Sequence, residues 1–153
     1  TSDVLMSQID WIASLGNLIQ AKFPKGSAID SRNRLGNLLG TDDNHRPWVI
    51  EQAANKTLSI RSIDWKYIDP HDGPKMIPWG PKIETGNYPT PQLYNMKEDA
   101  TEQNNIAEQH PEKVFEFQTL LRKIRNHSDN TKFWPLTNCH PERSEGSEYT
   151  RFM

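Results

Sequence analysis

The single cysteine is the residue of this chain with the most nucleophilic chemistry. Cys139 is followed by His140-Pro141-Glu142-Arg143 and lies in a polar stretch near the end of the chain. A thiol becomes reactive when its surroundings lower its pKa, and nothing in this stretch is arranged to do so. We therefore interpret Cys139 as an incidental thiol. A single cysteine also excludes a disulfide within the chain.

Two short acidic clusters contain residue types that bind metal ions. One is Asp42-Asp43, and the other is Asp69-Pro70-His71-Asp72. Carboxylate oxygens are the ligands that Ca²⁺ prefers, but adjacent acids between structural elements commonly form the turns themselves. We interpret both clusters as turns. The histidines show no paired spacing typical of a zinc site; they are His45, His71, His110, His127 and His140.

Aromatic residues provide a third kind of candidate, because an aromatic ring can stack on a sugar ring. The residues concerned are Trp65, Tyr67, Trp79 and Tyr88. Packing within the core or against a loop uses the same large apolar surface. Packing is the more common role for such residues, and it is our first interpretation here.

The first element that could position such groups is a predicted helix over residues 7–21. Ser7 could cap its N-terminus, and Asp10 suits the positive end of the helix dipole. Apolar residues cover most of its circumference, which predicts a helix buried on more than one side. These residues are Ile9, Trp11, Ile12, Ala13, Leu15, Leu18 and Ile19. A small domain could not cover such a helix alone, so a missing partner is indicated. A short helical turn follows over residues 35–39, and Gly40 ends it.

From residue 48 the period changes to that of strands. Residues 48–52, 57–62 and 65–68 predict an antiparallel meander with tight turns. Residues 69–91 are rich in proline and glycine and predict a long loop, and residues 92–95 predict a fourth short strand. Pro111 then opens a helix with an apolar stripe at three- and four-residue spacing, formed by Val114, Phe117, Leu120, Leu121 and Ile124. The predicted class is α+β, with a small antiparallel sheet of about four strands covered by this helix.

Charge and hydropathy exclude two broad classes of protein. The net charge is −2 with both signs mixed along the sequence, so no basic stripe indicates a nucleic-acid partner. No apolar run approaches the ~20 residues of a transmembrane helix. Residues 127–153 are polar without amphipathic periodicity, and we expect them to be disordered.

Four motifs stand in a fixed order along the chain. The first is Ser7-Gln8-Ile9-Asp10, and the second is Asp30-Ser31 followed by Leu35, Leu38, Leu39 and Gly40. The third is Asn55-Lys56-Thr57-Leu58-Ser59-Ile60-Arg61-Ser62-Ile63-Asp64-Trp65-Lys66. The fourth is Gln92-Leu93-Tyr94-Asn95-Met96-Lys97-Glu98-Asp99, continuing through Glu102, Asn104-Asn105-Ile106-Ala107 and His110-Pro111. Together, over residues 5–125, they resemble the C-terminal region of the sulfatase family, in its arylsulfatase-like branch.

The resemblance implies a division of the chain into three parts. Residues 1–47 would be the end of the sulfatase α/β catalytic domain, contributing a helix and a loop. Residues 48–126 would be the sulfatase C-terminal subdomain. Residues 127–153 would be a tail that does not belong to the family.

The resemblance also implies a chemistry whose residues lie elsewhere. Sulfatases use a formylglycine made from Cys or Ser in a C/S-x-P-S-R motif, together with calcium. Pro141 and Arg143 match this motif after Cys139, but Glu142 replaces its serine, and the stretch lies at the wrong end of the chain. We therefore expect no catalytic, cofactor-binding or metal-binding residue in this chain. Calcium and formylglycine are expected in the full-length parent.

Two local features bear on the substrate of such a parent. Glu51 and Gln52 stand where relatives often carry histidine, and this departure weakens any transfer of substrate preference. The family's C-terminal loops reach the rim of the active site, so the loop over residues 69–91 is the better candidate for contacting a sugar.

The predicted function is that of a C-terminal fragment of a sulfuric ester hydrolase. Its parent would cleave sulfate esters of aryl or carbohydrate substrates, and the fragment alone would be inactive. The implied partners are a missing N-terminal catalytic domain and a sulfated carbohydrate, and parents in this family are commonly periplasmic or secreted. Two alternatives remain: a non-catalytic module that binds sulfated carbohydrate, and an unrelated α+β interaction domain.

Overall fold

Four antiparallel strands form the centre of the structure. The computed structural model describes residues 2–53 and 56–126. The strands pair in sequence order, each antiparallel to the next. They are β1 (Val49–Gln52), β2 (Leu58–Arg61), β3 (Trp65–Ile68) and β4 (Gln92–Asn95). This arrangement confirms the predicted α+β class and the four-stranded meander.

One face of the sheet is covered by helix α3 (Pro111–Asn126). The register places Ile60, Tyr67 and Leu93 side by side on this face, and all three are fully buried. Phe117 and Leu121 of the helix complete the cluster. The rings of Tyr67 and Phe117 lie almost parallel, with centroids 6.2 Å apart. The apolar stripe predicted for the helix therefore faces the sheet, as expected.

Side-chain contacts fix both ends of α3 relative to the sheet. The ring of His110, just before the helix, meets Trp65 edge-on with centroids 5.3 Å apart. Near the other end, Arg125 donates to Asp69 Oδ2 at 2.7 Å, and the hydroxyl of Tyr67 donates to Asp69 Oδ1 at 2.8 Å. The helix thus cannot slide along the sheet without breaking contacts at one end.

The link between β4 and α3 is folded by the polar residues of the fourth sequence motif. Asp99 accepts the backbone N–H groups of residues 103 and 104 at 3.0 and 2.7 Å. Asn105 Oδ1 accepts from the N–H of Leu93 at 3.0 Å, while the N–H of Ile106 donates to the carbonyl of Leu93 at 2.9 Å. These motif residues therefore have structural roles, holding the link against the edge of the sheet.

Helix α1 (Asp10–Leu18) is shorter than the predicted range 7–21. The side chain of Ser7 does not cap it; instead the N–H of Ser7 donates to Asp10 Oδ2 at 3.1 Å. At its other end Gln20 adopts φ 55°, and the N–H of Ala21 bonds the carbonyl of Gly16 at 2.8 Å. This closing pattern ends the helix at Leu18, short of the predicted residue 21. Helix α2 (Leu35–Leu39) ends as predicted at Gly40, with φ 71°.

A buried ion pair holds the first 46 residues together. The carboxylate of Asp10 is fully buried and accepts from Arg46 Nε at 2.7 Å and also from Arg46 Nη2. The N–H of Arg32 donates to the same carboxylate at 2.9 Å. Burial raises the pKa of Asp10, but the hydrogen bonds from Arg46 and from the N–H groups of Arg32 and Ser7 outweigh it, so the pKa lies below 3.8. This pair joins the start of α1 to the segment before β1.

Helix α1 turns Asp10 and Ser14 inward and its large apolar residues outward. Asp10 and Ser14 are fully buried, and Ser14 Oγ accepts from the N–H of Arg34 at 2.8 Å. The large apolar side chains are each between 46% and 73% exposed: Ile9, Trp11, Ile12, Leu15, Leu18 and Ile19. The outer surface formed by these six residues is called the α1 face below.

The predicted tail over residues 127–153 lies outside the described residues, as does Cys139. Within the described part of the chain, no helix is both long enough and apolar enough to cross a bilayer.

The core cluster should dominate stability. We expect Leu121→Ala, at a side chain only 1% exposed, to lower the free energy of unfolding by about 2–5 kcal/mol, because it opens a cavity against the sheet. Phe115→Ala, on the outer face of the same helix and 69% exposed, should change it by less than about 0.5 kcal/mol. Urea denaturation of the two variants measures both, and equal losses would contradict this packing.

The Asp10–Arg46 pair should show a distinctive pH dependence. Since its folded-state pKa is lowered, the stability from Asp10 is present above pH 3.8 and is lost as the pH falls through the folded-state pKa. Arg46→Met should cost about 3–5 kcal/mol at pH 7, because it leaves a buried carboxylate unpaired.

The same variant should lose less stability on acidification than the parent chain, because protonation then relieves the unpaired charge. Lys97→Met serves as the control, because Lys97 pairs with Asp64 at 2.9 Å while remaining 68% exposed. Removing such a surface pair should cost no more than about 1 kcal/mol. Denaturation curves at pH 3, 5 and 7 test this; a parallel pH profile for Arg46→Met and the parent would contradict the role assigned to Asp10.

Candidate functional site

The face of the sheet opposite α3 carries a polar groove of about 350 Å³. Alternation along the strands directs every second side chain to this face. Its floor comes from the strands and its walls from two loop segments: the lining residues are Glu51, Gln52, Ala53, Thr57, Ser59, Lys66, Ile68, Glu84, Thr85, Gly86, Gln92, Tyr94, Thr101 and Glu102. The groove is therefore a product of strand register.

The centre of the groove is an ion-pair network around Lys66. Its ammonium lies 2.7 Å from Glu102 Oε1 and 3.8 Å from Glu51 Oε2. Ser59 Oγ donates to Glu51 Oε2 at 3.3 Å. With Glu84 on the wall, the groove contains three carboxylates and one ammonium. Its net charge is negative, which opposes binding of a sulfate group.

The titration of Tyr94 reflects the same excess of carboxylates. Tyr94 is 7% exposed, and its hydroxyl donates to Gln92 Oε1 at 2.9 Å. Burial raises the pKa of Tyr94, and the neighbouring carboxylates of Glu102, Asp99 and Glu84 raise it further. The phenol therefore stays neutral, and it serves the groove as a hydrogen-bonding wall.

A hairpin rises from one wall of the groove, within the segment predicted as a loop. The N–H of Thr85 bonds the carbonyl of Lys75, and the N–H of Ile77 bonds the carbonyl of Ile83, both at 2.9 Å. Met76 and Glu84 form an isolated antiparallel bridge between these bonds. Residues 75–85 are called the arm, and residues 78–82 are its tip.

Buried polar side chains anchor the base of the arm. Thr85 Oγ1 donates to the carbonyl of Pro74 at 2.6 Å, and Asn87 Nδ2 donates to the same carbonyl at 3.1 Å. The hydroxyl of Thr57, next to β2, donates to Asn87 Oδ1. A Cβ at Gly73 would lie 2.5 Å from Asn87 Nδ2, so this close approach requires glycine. All three polar side chains are at most 5% exposed.

The predicted acidic clusters act as structural groups. Asp42 Oδ1 accepts from the N–H of Asn44 at 3.0 Å, closing a turn. Asp69 bonds Tyr67 and Arg125, and the N–H of His71 bonds the carbonyl of Tyr88 at 2.9 Å. Within residues 2–53 and 56–126, no group of three or more His, Cys, Asp or Glu side chains is placed to hold a metal ion.

The four aromatic candidates separate into two pairs. Tyr67 is fully buried, and Trp65 packs against the core and His110. Trp79 is 75% exposed at the tip of the arm, and Tyr88 is 37% exposed beneath the Lys75 ammonium, 4.1 Å from its ring centroid. Glu51 and Gln52, which depart from the family pattern, line the groove. The sequence did not reveal Lys66 or Glu102 as a pair, because they are distant in the chain and meet only through the fold.

Known proteins resemble this chain in both sequence and fold. No family model matches the sequence. A Bacteroides thetaiotaomicron protein, an N-acetylgalactosamine-6-O-sulfatase, is 44% identical over 121 residues, covering 79% of this chain and 24% of that protein. A solved structure from work on glycosaminoglycan metabolism by the same species has a TM-score of 0.74 and 42% identity, over 81% of this chain and 26% of the other.

A solved 2-O GAG sulfatase also matches, with a TM-score of 0.56 and 21% identity, over 86% of this chain and 28% of the other. At 21% identity, this match shows only that the folds are similar.

The chain has the sequence and the α+β fold of a sulfatase C-terminal region. Among the proteins that it matches, the N-acetylgalactosamine-6-O-sulfatase shares 44% of the aligned residues. The chain spans about a quarter of the length of these relatives, 24% and 26% of the first two. The resemblance drawn from the four motifs is confirmed.

Proposed function

We propose that this chain is the C-terminal part of a sulfatase that hydrolyses sulfate esters of carbohydrates, with a 6-O-sulfated N-acetylhexosamine as the preferred unit. The observation that carries this proposal is the 44% identity over 121 residues to an N-acetylgalactosamine-6-O-sulfatase. A carbohydrate substrate is favoured over an aryl sulfate for the same reason. The residues that hold formylglycine and calcium belong, on this proposal, to a part of the enzyme outside the present chain.

The chemical requirements of sulfate hydrolysis indicate which roles belong to this chain and which to the rest of the enzyme. A sulfate ester needs a strong nucleophile, a cation that neutralises its oxygens, and an acid for the leaving alcohol. The negative groove cannot supply the cation, and its Lys66 is already paired with Glu102. We therefore assign no catalytic residue to this chain, and its role is to shape and support the catalytic part.

The α1 face is the surface through which this support acts. Six large apolar side chains on α1 and its two flanking residues, Ile9 and Ile19, remain between 46% and 73% exposed. Contiguous apolar surfaces of this kind mark interaction sites. The occupant that we propose is the α/β catalytic domain of the parent enzyme, because the relatives are about four times longer than this chain. On this view residues 1–47 belong to that domain and residues 48–126 form a subdomain attached to it.

The acidic groove bears on the alternative of an independent module for sulfated carbohydrate. The groove contains three carboxylates and one ammonium and repels a sulfate, so it is unsuited to that ligand. The proposed role as the C-terminal part of a sulfatase does not need the groove to bind sulfate, and we retain it.

A chimeric enzyme tests the proposed function. This chain replaces the matching C-terminal quarter of the N-acetylgalactosamine-6-O-sulfatase, and sulfate release from N-acetylgalactosamine 6-O-sulfate is measured. We expect hydrolysis by the chimera and none by this chain alone, since loss of a nucleophile alone costs several orders of magnitude in rate.

Two controls accompany the assay. A chimera in which the formylglycine precursor is replaced by alanine identifies contaminating activity. A truncated enzyme that lacks the whole C-terminal quarter shows whether that quarter is needed at all. A chimera that is folded by circular dichroism yet inactive, beside an active parent, would falsify the proposal.

The α1 face should behave differently in the isolated chain and in the chimera. In the isolated chain, Leu15→Glu should reduce binding of a hydrophobic dye and reduce self-association, while changing the free energy of unfolding by less than about 0.5 kcal/mol. In the chimera the same change should destabilise by about 3 kcal/mol or more, because it buries an unpaired carboxylate against the catalytic domain.

Phe115→Glu is the matched control, because Phe115 is equally apolar, 69% exposed and on the outer face of α3. It should be tolerated in both contexts. Thermal melts of the two variants in both contexts provide the measurement, and equal effects of the two substitutions in the chimera would contradict an interface at α1.

A further inference from the structure

We propose that the arm is a contact for the sulfated sugar chain, with Trp79 stacking on a sugar ring and the ammonium groups of Lys75 and Lys82 attracting its sulfate. This inference rests on the proposed function, in that it takes a sulfated carbohydrate as the ligand, and it assigns that ligand's contacts to residues of the present chain.

The exposure of Trp79 is the first observation that supports the arm as a contact. Its side chain is 75% exposed, more than any other large hydrophobic side chain in the described residues. Burying an indole removes a large apolar area from water, and the fold gains little of this stabilisation at Trp79. The ring is instead presented between Pro78 and Gly80 at a turn, where Gly80 adopts φ 72°. A sugar ring offers a flat, partly apolar surface that matches an exposed indole.

The anchoring of the arm is the second observation. The carbonyl of Pro74 accepts from both Thr85 and Asn87, and Thr57 ties Asn87 to the sheet. These buried bonds fix the base, while two backbone bonds hold the two sides of the hairpin in register. A ligand therefore meets a contact that is already ordered, which reduces the entropy lost on binding.

The distribution of charge is the third observation. The arm carries Lys75 and Lys82, both exposed, and its single carboxylate, Glu84, faces the groove at its base. Lys75 is held over the ring of Tyr88, so its ammonium is positioned near the base as well. The positive groups lie on the arm and the negative groups in the groove. A sulfated sugar is attracted to the first and repelled by the second, which orients it along the arm.

Binding to the isolated chain tests this inference directly. The probe is a chondroitin 6-sulfate hexasaccharide, followed by calorimetry at low and at physiological salt. We expect Trp79→Ala to weaken binding by about tenfold, through loss of the apolar contact. Lys82→Gln should weaken it by a few-fold at low salt and less at physiological salt, because salt screens an exposed charge.

Two matched controls separate these effects from general ones. Phe115→Ala removes an equally exposed aromatic ring from α3, and Lys22→Gln removes an exposed ammonium away from the arm. Both should leave the affinity unchanged. Non-sulfated chondroitin should bind at least tenfold more weakly than the sulfated probe. Undetectable binding of the sulfated hexasaccharide, or equal affinity for the parent chain and Trp79→Ala, would overturn the inference.

The chimera distinguishes this inference from the proposed function. There, Trp79→Ala should raise KM about tenfold with kcat unchanged, since the lost contact is equal in the ground state and the transition state. If the chimera is active and Trp79→Ala leaves its KM unchanged, the proposed function is supported and the arm does not contact the substrate. A chimera whose melting temperature falls with Trp79→Ala would place the indole against the catalytic domain, which also overturns the inference. An inactive chimera, with Trp79-dependent binding retained by the isolated chain, would overturn the proposed function alone.

Discussion

A sheet of four short strands has two faces, and residues 2–53 and 56–126 contain one long helix to cover them. α3 takes one face completely, because Phe117 and Leu121 meet Ile60, Tyr67 and Leu93 in a single apolar layer. No second layer of described residues covers the other face, and its side chains alternate with those of the core. Most of them are polar or paired, as Lys66 is with Glu102. The groove, its charge and the position of the arm beside it all follow from this one-sided covering.

The first 46 residues are held together by different interactions from those of the sheet. Their interior is polar: Asp10 and Ser14 are fully buried and satisfied by Arg46 and by backbone N–H groups. Their exterior, the α1 face, is apolar. A segment built this way is held in shape by directional bonds, whereas its stabilisation by apolar burial has to come from a neighbouring surface. This contrast fits a piece that completes a larger domain better than it fits an independent one.

Sequence reasoning succeeded where the determinants are local. The period of two in residues 58–61, Pro111 at a helix start and Gly40 at a helix end each act within a few residues, and each element was found. The predicted helix over residues 7–21 was too long, because Gln20 adopts a left-handed conformation that ends the helix early. A glutamine gives no signal of this conformation in the sequence. Asp69 was interpreted only as part of a turn, whereas its carboxylate bonds Tyr67 on β3 and Arg125 on α3.

The features that escaped prediction depend on contacts between distant residues. Asp10 and Arg46 are 36 positions apart, and neither lies in a pattern that pairs them. The groove exists only once strand register is known. The base of the arm is closed by side-chain bonds from Thr85 and Asn87 to the carbonyl of Pro74. These bonds leave no local pattern in the sequence, and the proline-rich segment was therefore predicted to be a loop. Trp79 was recognised as an aromatic candidate, but its exposure, which distinguishes it from Trp65, could be seen only in the fold.

The bonds between β4 and the following link have a consequence for how the sheet can grow. A bare edge strand offers unpaired backbone groups to any extended chain nearby and invites aggregation. Here the outward N–H and carbonyl of Leu93 are taken by Asn105 and Ile106, and the carbonyl of Asn95 accepts from the N–H groups of residues 98 and 99. The motif that marks the family in sequence thus closes one side of the sheet to further strands. Any strand added by a neighbour, whether in an assembly or in a misfolded aggregate, would have to join at β1.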